Sequence, residues 1–228
     1  MPEPIVLSDH PLVGHQLASL RDAGTPPHEF RRLVRQLTGL LAYEATRGLA
    51  TKTRTVQTPV AEAEGRVLAD RVGLFPILRA GLGMVDAVLD LVPGAQVWHL
   101  GMYRDEETAS PVEYYRKLPE RPTVEVGLVL DPMLATGGSA TLALETLRDW
   151  GVPTVKMLSL IASAEGAAAV AGQFPDVQVV AAAVDATLDG RKFIVPGLGD
   201  AGDRIFNTSA PDASAADLST ADLSAAGA

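Results

Sequence analysis

Apolar strand-like runs alternating with helical stretches predict an α/β fold built on a mainly parallel central sheet flanked by helices. Two observations carry this expectation. VGLFPIL (72–78), VEVGLVLD (124–131), TVKMLSLIA (154–162) and VQVVAAAVD (177–185) are near-continuous apolar runs, the pattern of strands buried on both faces. Helix-like stretches lie between them, and strands that alternate with helices build parallel sheets.

The N-terminal part reads as helical. Thr25-Pro26 resembles an N-cap followed by proline at the first helical position. Phe30, Leu33, Val34, Leu37, Leu40 and Leu41 then recur at three- and four-residue spacing, one apolar stripe on a helix running to about Leu49. Arg31, Arg32 and Arg35 fall off that stripe and read as solvated. The strand 72–78 leads through Arg79-Ala80-Gly81-Leu82-Gly83 into a helix ending near Leu91. AQVWHLGMY (95–103) is strand-like. A helix over SATLALETLRDW (139–150) follows the strand 124–131. The strand 154–162 is followed by a helix over AEGAAAVAGQF (164–174) and the strand 177–185. Asp189-Gly190 marks a turn, and KFIV (192–195) reads as a short last strand.

Two segments break the rhythm. YRDEETASPVEYYRKLPERP (103–122) is charged, carries three prolines and three tyrosines, and is too long for a simple connection; it is a candidate protruding arm or lid. SAPDASAADLSTADLSAAGA (209–228) is low-complexity Ala/Ser/Asp without aromatics and is expected to be a disordered tail. The expected organisation is one domain over 1–208 with the tail appended.

Composition narrows the function. The chain of 228 residues has a formal net charge of −9, which argues against the basic footprint that nucleic-acid binding needs. A few arginines in a cleft can still hold a small anion. There is no cysteine, so disulfides, thiolate metal sites and cysteine nucleophiles are excluded. The N-terminus lacks the basic-then-apolar order of a signal peptide. No apolar run reaches the ~18–20 residues that span a bilayer. The expectation is a soluble cytoplasmic protein.

The strongest chemistry lies in LVLDPMLATGGSATLALETL (128–147). A buried strand ends at Asp131, and a short loop with Thr136, Gly137 and Gly138 opens a helix near Ser139. Helix N-termini offer unpaired N–H groups and the positive end of the dipole to phosphates. Ligands of open α/β sheets bind at the carboxyl ends of the strands, where Asp131 can accept from sugar hydroxyls. The lysine of a Walker loop is absent. Arg79, at an equivalent strand end, can clamp a second phosphate. Two anion loops and a sugar-binding acid on one edge suggest a pyrophosphorylated ribose.

Gly197-Leu198-Gly199-Asp200-Ala201-Gly202 matches GxGxxG literally. A dinucleotide turn needs a second parallel strand to complete a βαβ unit, and after DRIFNT only the tail remains. These glycines instead allow a sharp turn whose exposed main chain can read a flat ligand.

HPLV (10–13), PILRAGLGM (76–84), GMYRDEET (101–108), DPMLATGGS (131–139) and IVPGLGDAGDRIF (194–206) together resemble the uracil phosphoribosyltransferase family, over about residues 5–208. The resemblance implies a type I phosphoribosyltransferase core with N-terminal helices, an arm and a C-terminal base-binding hood. It implies conversion of uracil and 5-phosphoribosyl 1-diphosphate (PRPP) to UMP and diphosphate, with Mg²⁺ held mainly by PRPP rather than by protein ligands. By similarity, Asp131, Pro132, Met133, Leu134, Ala135, Thr136, Gly137, Gly138 and Ser139 hold the ribose and 5′-phosphate. Arg79 and Arg104 contact the diphosphate, and Asp200 sits by the ribose. Ile194, Gly199, Asp200 and Ala201 bind uracil, chiefly through the main chain. Asp131, Asp200 and Arg104 are the expected catalytic residues. The N-terminal apolar helix and the long arm suggest a homo-oligomer, a dimer or larger; GTP as an activator, found in some members, comes from the resemblance. The family motif usually ends FGT, where this chain has Phe206-Asn207-Thr208. An RNA-binding pyrimidine regulator, a transferase for another base and a dehydrogenase are the competing readings.

Overall fold

The computed structural model describes residues 5–6, 9–104 and 111–208. In chain order the elements are β1 (Ile5–Val6), α1 (Pro11–Arg21), α2 (Pro27–Ala45), β2 (Thr51–Gln57), β3 (Glu62–Leu68), β4 (Val72–Leu78), α3 (Leu82–Leu91), β5 (Gln96–Val97), β6 (Leu100–Arg104) and β7 (Pro111–Arg116). There follow β8 (Val126–Leu130), β9 (Met133–Leu134), α4 (Gly138–Trp150), β10 (Thr154–Ser163), α5 (Ala164–Gln173), β11 (Gln178–Asp185), β12 (Thr187–Leu188), β13 (Ile194–Val195) and α6 (Ala201–Phe206).

The main sheet runs β1-β11-β10-β8-β4-β6-β7, with β5 beside β4 and β9 beside β10. Its pairings are parallel except β6 with β7, which are antiparallel. Alternate side chains of each central strand feed two cores. Leu74, Leu128, Leu130 and Leu158 pack with α1, α2 and α3 on one face. Phe75, Val129 and Met157 pack with α4 and α5 on the other. Burial of these side chains, each contributing about 1.5–3 kcal/mol, fixes the register and leaves the carboxyl ends of β4, β8 and β10 along one edge. The stripe on α2 is buried at Phe30, Leu33, Val34, Leu37 and Leu41, whereas Leu40 is only partly covered. The three off-stripe arginines are exposed, and each is tied down. Arg32 bonds Glu29, Arg35 bonds Asp90, and Arg31 donates to the Ile205 carbonyl.

Several expectations need correction. Pro26, not Thr25, caps α2, and Pro27 takes the first helical position. The Thr25 hydroxyl donates to the Ser19 carbonyl at 2.5 Å, which closes the turn after α1. The single strand over 95–103 is two short strands, β5 and β6, separated by Trp98 and His99. The strand in KFIV is confined to Ile194–Val195. Lys192 has φ 67, a left-handed conformation that no strand accommodates. The hairpin β2–β3 was not expected. Its strands are exposed along most of their length, so they carry no period-2 apolar signal.

The arm expected over 103–122 carries the end of β6 and all of β7, an antiparallel pair with an irregularity just before it, between Gly101 and Met102. Residues 105–110 lie outside the described residues, and so does the tail 209–228. Among the described residues no helix is long and apolar enough to cross a membrane.

Candidate active site

β8 ends at Leu130, and Asp131 follows at the sheet edge. The chain pairs again with β10 through Met133–Leu134, then turns at Gly137 into α4. Gly137 has φ 86, and a Cβ there would lie 3.1 Å from Ala169 and 3.3 Å from the Gly166 carbonyl; glycine meets both demands. Two fully buried serines of β10 draw loop carbonyls inward: Ser159 Oγ donates to the Asp131 carbonyl at 2.8 Å, and Ser163 Oγ donates to that of Ala135. The result is a cavity of about 140 Å³ lined by Asp131, Thr136, Gly137, Gly138 and Ser139, with Met133, Leu134, Ala135, Ala140 and Lys192. The N-terminus of α4 faces it, a ready anion site. Burial pushes the Asp131 carboxyl up to about 7, opposed only by the Met133 N–H, at 3.3 Å.

A second cavity, about 330 Å³, adjoins the first and shares Met133, Ala135 and Lys192 with it. Its other walls are Ala80 and Arg191, Phe193, Ile194, Gly199, Asp200, Ala201 and Gly202. The hood that forms it has little regular structure. β13 pairs only with β12, antiparallel and outside the main sheet, and α6 has six residues. The GxGxxG segment therefore follows a strand and opens a helix, but it belongs to no βαβ unit.

Contacts with parts of the chain remote in sequence hold the hood. Arg21 grips Asp185 with two 2.7 Å bonds and also donates to the Gly197 carbonyl at 2.8 Å. Asp185 in turn accepts from Gly197 N at 2.9 Å. Gly197 has φ 56, and any Cβ would run into the Ile194 carbonyl. Arg204 donates to the carbonyls of Leu198 and Leu20, at 2.8 and 2.9 Å, and to that of Asp22 at 2.5 Å. It also lies over the Phe30 ring, 4.2 Å from its centre. Asp200 caps α6 by accepting from Asp203 N at 3.0 Å. Two arginines thus take the carbonyls of Gly197 and Leu198 from outside, and Gly199 to Gly202 form the cavity wall.

The structure brings most of the sequence-predicted residues together. Asp131, Met133, Leu134, Ala135, Thr136, Gly137, Gly138 and Ser139 line the smaller cavity, with Pro132 buried behind them. Ile194, Gly199, Asp200 and Ala201 line the larger one. Arg79 ends up beside the hood, its guanidinium 3.2 Å from Asp203. Arg104 ends β6, and its side chain lies outside the described residues. Sequence reasoning missed Lys192 and Phe193, which it placed in a strand, and the positioning residues Arg21, Asp185 and Arg204. No local pattern marks these last three; only the fold brings Arg21 to Asp185.

An anion loop with a carboxylate at a strand end, beside a second cavity walled by the glycine-rich hood, is the arrangement expected of a phosphoribosyltransferase. The comparisons make this specific. The family model described as uracil phosphoribosyltransferase matches residues 6–208, and the chain belongs to that family. It is 55% identical to a uracil phosphoribosyltransferase of Roseiflexus sp. (strain RS-1), over 90% of this chain and 98% of the relative. It is 51% identical to the Thermus thermophilus uracil phosphoribosyltransferase, over 90% of this chain and 99% of that one. A solved structure, the AQ2163 protein from Aquifex aeolicus, superposes with a TM-score of 0.84 at 35% identity, covering 90% and 98% of the two chains.

Proposed function

We propose that this chain transfers the 5-phosphoribosyl group of PRPP to uracil, giving UMP and diphosphate in pyrimidine salvage. The observation that carries the reading is the adjacency of the two cavities, which share Met133 and Ala135. A ribose lying across that shared wall puts its 5′-phosphate in the loop and its C1 at the base cavity. The bond from C1 to the diphosphate oxygen breaks as uracil N1 bonds to C1 from the opposite face, and the N1 proton is released to the departing diphosphate or to water. Positive charge then develops on the ribose ring, as in glycoside cleavage.

The chain's own residues position and stabilise. Asp131 accepts from the ribose hydroxyls and, once ionised, stabilises the ring charge. Arg79 leaves Asp203 for the departing diphosphate, joined by Arg104. Asp200 flanks the ribose from the hood, and the main chain of Ile194, Gly199 and Ala201 reads the edge of uracil. Mg²⁺ offsets the charge of the leaving group when it is bound. The donor set suits an ion carried on substrate phosphates: the carboxylates of Asp131 and Asp200, and no group of three metal-ligating side chains among the described residues.

A homo-oligomer belongs to the proposal. The exposed β2–β3 hairpin supports it, since an isolated two-stranded hairpin is marginal in water. Activation by GTP rests on the family resemblance, and an assay with and without GTP tests it. A cytoplasmic location goes with a cysteine-free chain. Incubation with uracil, PRPP and Mg²⁺ should yield UMP and diphosphate in equal amounts, and chelation of the metal should abolish both. Wild-type protein that makes no UMP under the first condition contradicts the reading.

A further inference from the structure

The phosphate loop is poor in positive charge. Residues 131–140 offer main-chain N–H groups, two hydroxyls and a carboxyl, but no cation. The 5′-phosphate expected there carries close to two negative charges. Among the described residues one basic side chain lines this cavity, and it comes from the hood: Lys192, which lines the base cavity as well.

The placement of Lys192 is imposed. Asp189 builds a turn by accepting from the main-chain N–H groups of Arg191 at 2.9 Å and Phe193 at 2.8 Å. Lys192 N donates to the Asp189 carbonyl at 2.9 Å. Within this turn Lys192 is left-handed, at φ 67, a conformation that favours glycine. Its ion-pair partner, Glu165 in the first turn of α5, is 4.0 Å away, and both side chains are half exposed. Such a pair contributes little, so an arriving phosphate displaces it at small cost.

We propose that Lys192 binds the 5′-phosphate shared by PRPP and UMP, bringing to the loop from across the base cavity the charge that the loop lacks. This rests on the reading of residues 131–139 as the 5′-phosphate site. The ammonium makes a charge-assisted hydrogen bond to a phosphate oxygen, and the same side chain closes the seam between the two cavities.

The test is calorimetric binding of ribose 5-phosphate, UMP and inorganic diphosphate to wild type, Lys192→Gly, Lys192→Gln and Lys192→Arg. Lys192→Gly suits the left-handed backbone and is expected to fold with an equal or higher Tm. Loss of the charge-assisted bond should weaken ribose 5-phosphate and UMP by about 5- to 30-fold in the Gly and Gln variants. Lys192→Arg should recover most of that loss, diphosphate affinity should stay unchanged, and the wild-type advantage should shrink at high salt. Weaker phosphate binding with unimpaired stability is a combination that a purely structural lysine does not give. Affinities within twofold of wild type for both phosphate ligands overturn the proposal, as does a parallel loss for diphosphate, which would assign Lys192 to the leaving group. If wild type binds neither ribose 5-phosphate nor UMP, the loop reading itself is wrong and the proposal falls with it.

Discussion

The two halves of the site are built in opposite ways. The phosphate loop is anchored locally, where a strand end and a helix start belong to the main sheet and Ser159 and Ser163 of the adjoining strand take its carbonyls. The base hood is anchored at a distance. Its irregular main chain is clamped by Arg21 of α1, and Arg204 of its own α6 reaches back to the carbonyls of Leu20 and Asp22. The carboxyls differ accordingly. Among the described residues no cation is paired with Asp131, and burial pushes it up to about 7. Burial also acts to raise Asp185, but the Arg21 hydrogen bonds, the Gly197 N–H and the Arg21 charge outweigh it and hold that carboxyl below its ordinary range. In the proposed function the uncompensated carboxyl belongs to the reacting half and the compensated one to its scaffold.

The sharpest way to break the contrast is Asp131→Asn. Removing the charge beside the ribose should lower kcat by on the order of 10²-fold or more; a rate within about threefold of wild type would strip Asp131 of its role. On the hood side, Arg21→Lys keeps the charge but loses the two-pronged grip on Asp185 and the bond to Gly197. Steady-state kinetics should show the KM for uracil raised about tenfold, from roughly 1.4 kcal/mol of lost positioning, with the KM for PRPP within twofold. Equal changes in both would mean that the clamp serves the whole site.

The pH dependence of stability separates the two carboxyls. An unfolded aspartate titrates near 3.9. Between there and about 7 the folded protein keeps the Asp131 proton that the unfolded chain gives up, so this group lowers stability as pH rises through that window. Asp131→Asn should therefore have a Tm several degrees above wild type at pH 8 and close to it at pH 4. Asp185 works in the other sense. Its contribution is present above the unfolded value and is lost as pH falls through its depressed folded value. Thermal scans from pH 8 down to well below 3.9 cover both windows and check both signs.

The smallest effect concerns the end of the hood. Asn207 terminates α6 at φ 56 with its N–H on the Asp203 carbonyl. Asparagine tolerates this left-handed cap second only to glycine, which accounts for the departure from the family's FGT ending. Asn207→Gly should leave Tm unchanged or slightly raised. Asn207→Val, costing about 1 kcal/mol, should lower it by about 2–4 °C.

The same contrast explains what could be read from the chain. The strands around Leu74, Leu128 and Leu158 and the loop 131–139 were legible because local pattern dictates them: an apolar run, then small and polar residues, then a helix. The hood glycines were legible as a turn but not as a wall, since their geometry depends on Arg21, 176 residues from Gly197. β2–β3 left no trace because most of its side chains meet solvent on both faces. Lys192 looked like a strand residue, and only the Asp189 turn reveals its left-handed backbone. Chemistry tied to local regularity shows in a sequence; chemistry tied to tertiary clamps does not.

In the proposed function the hood's main chain, held by its clamps, selects uracil beside a PRPP site. The most direct test gives the purified protein PRPP and Mg²⁺ with uracil, cytosine, adenine, hypoxanthine or xanthine in turn and quantifies the nucleotide formed. UMP from uracil and no nucleotide from the other four is the expected result. Efficient product from cytosine or a purine would contradict it, leaving the phosphate loop in place but overturning the reading of residues 194–202.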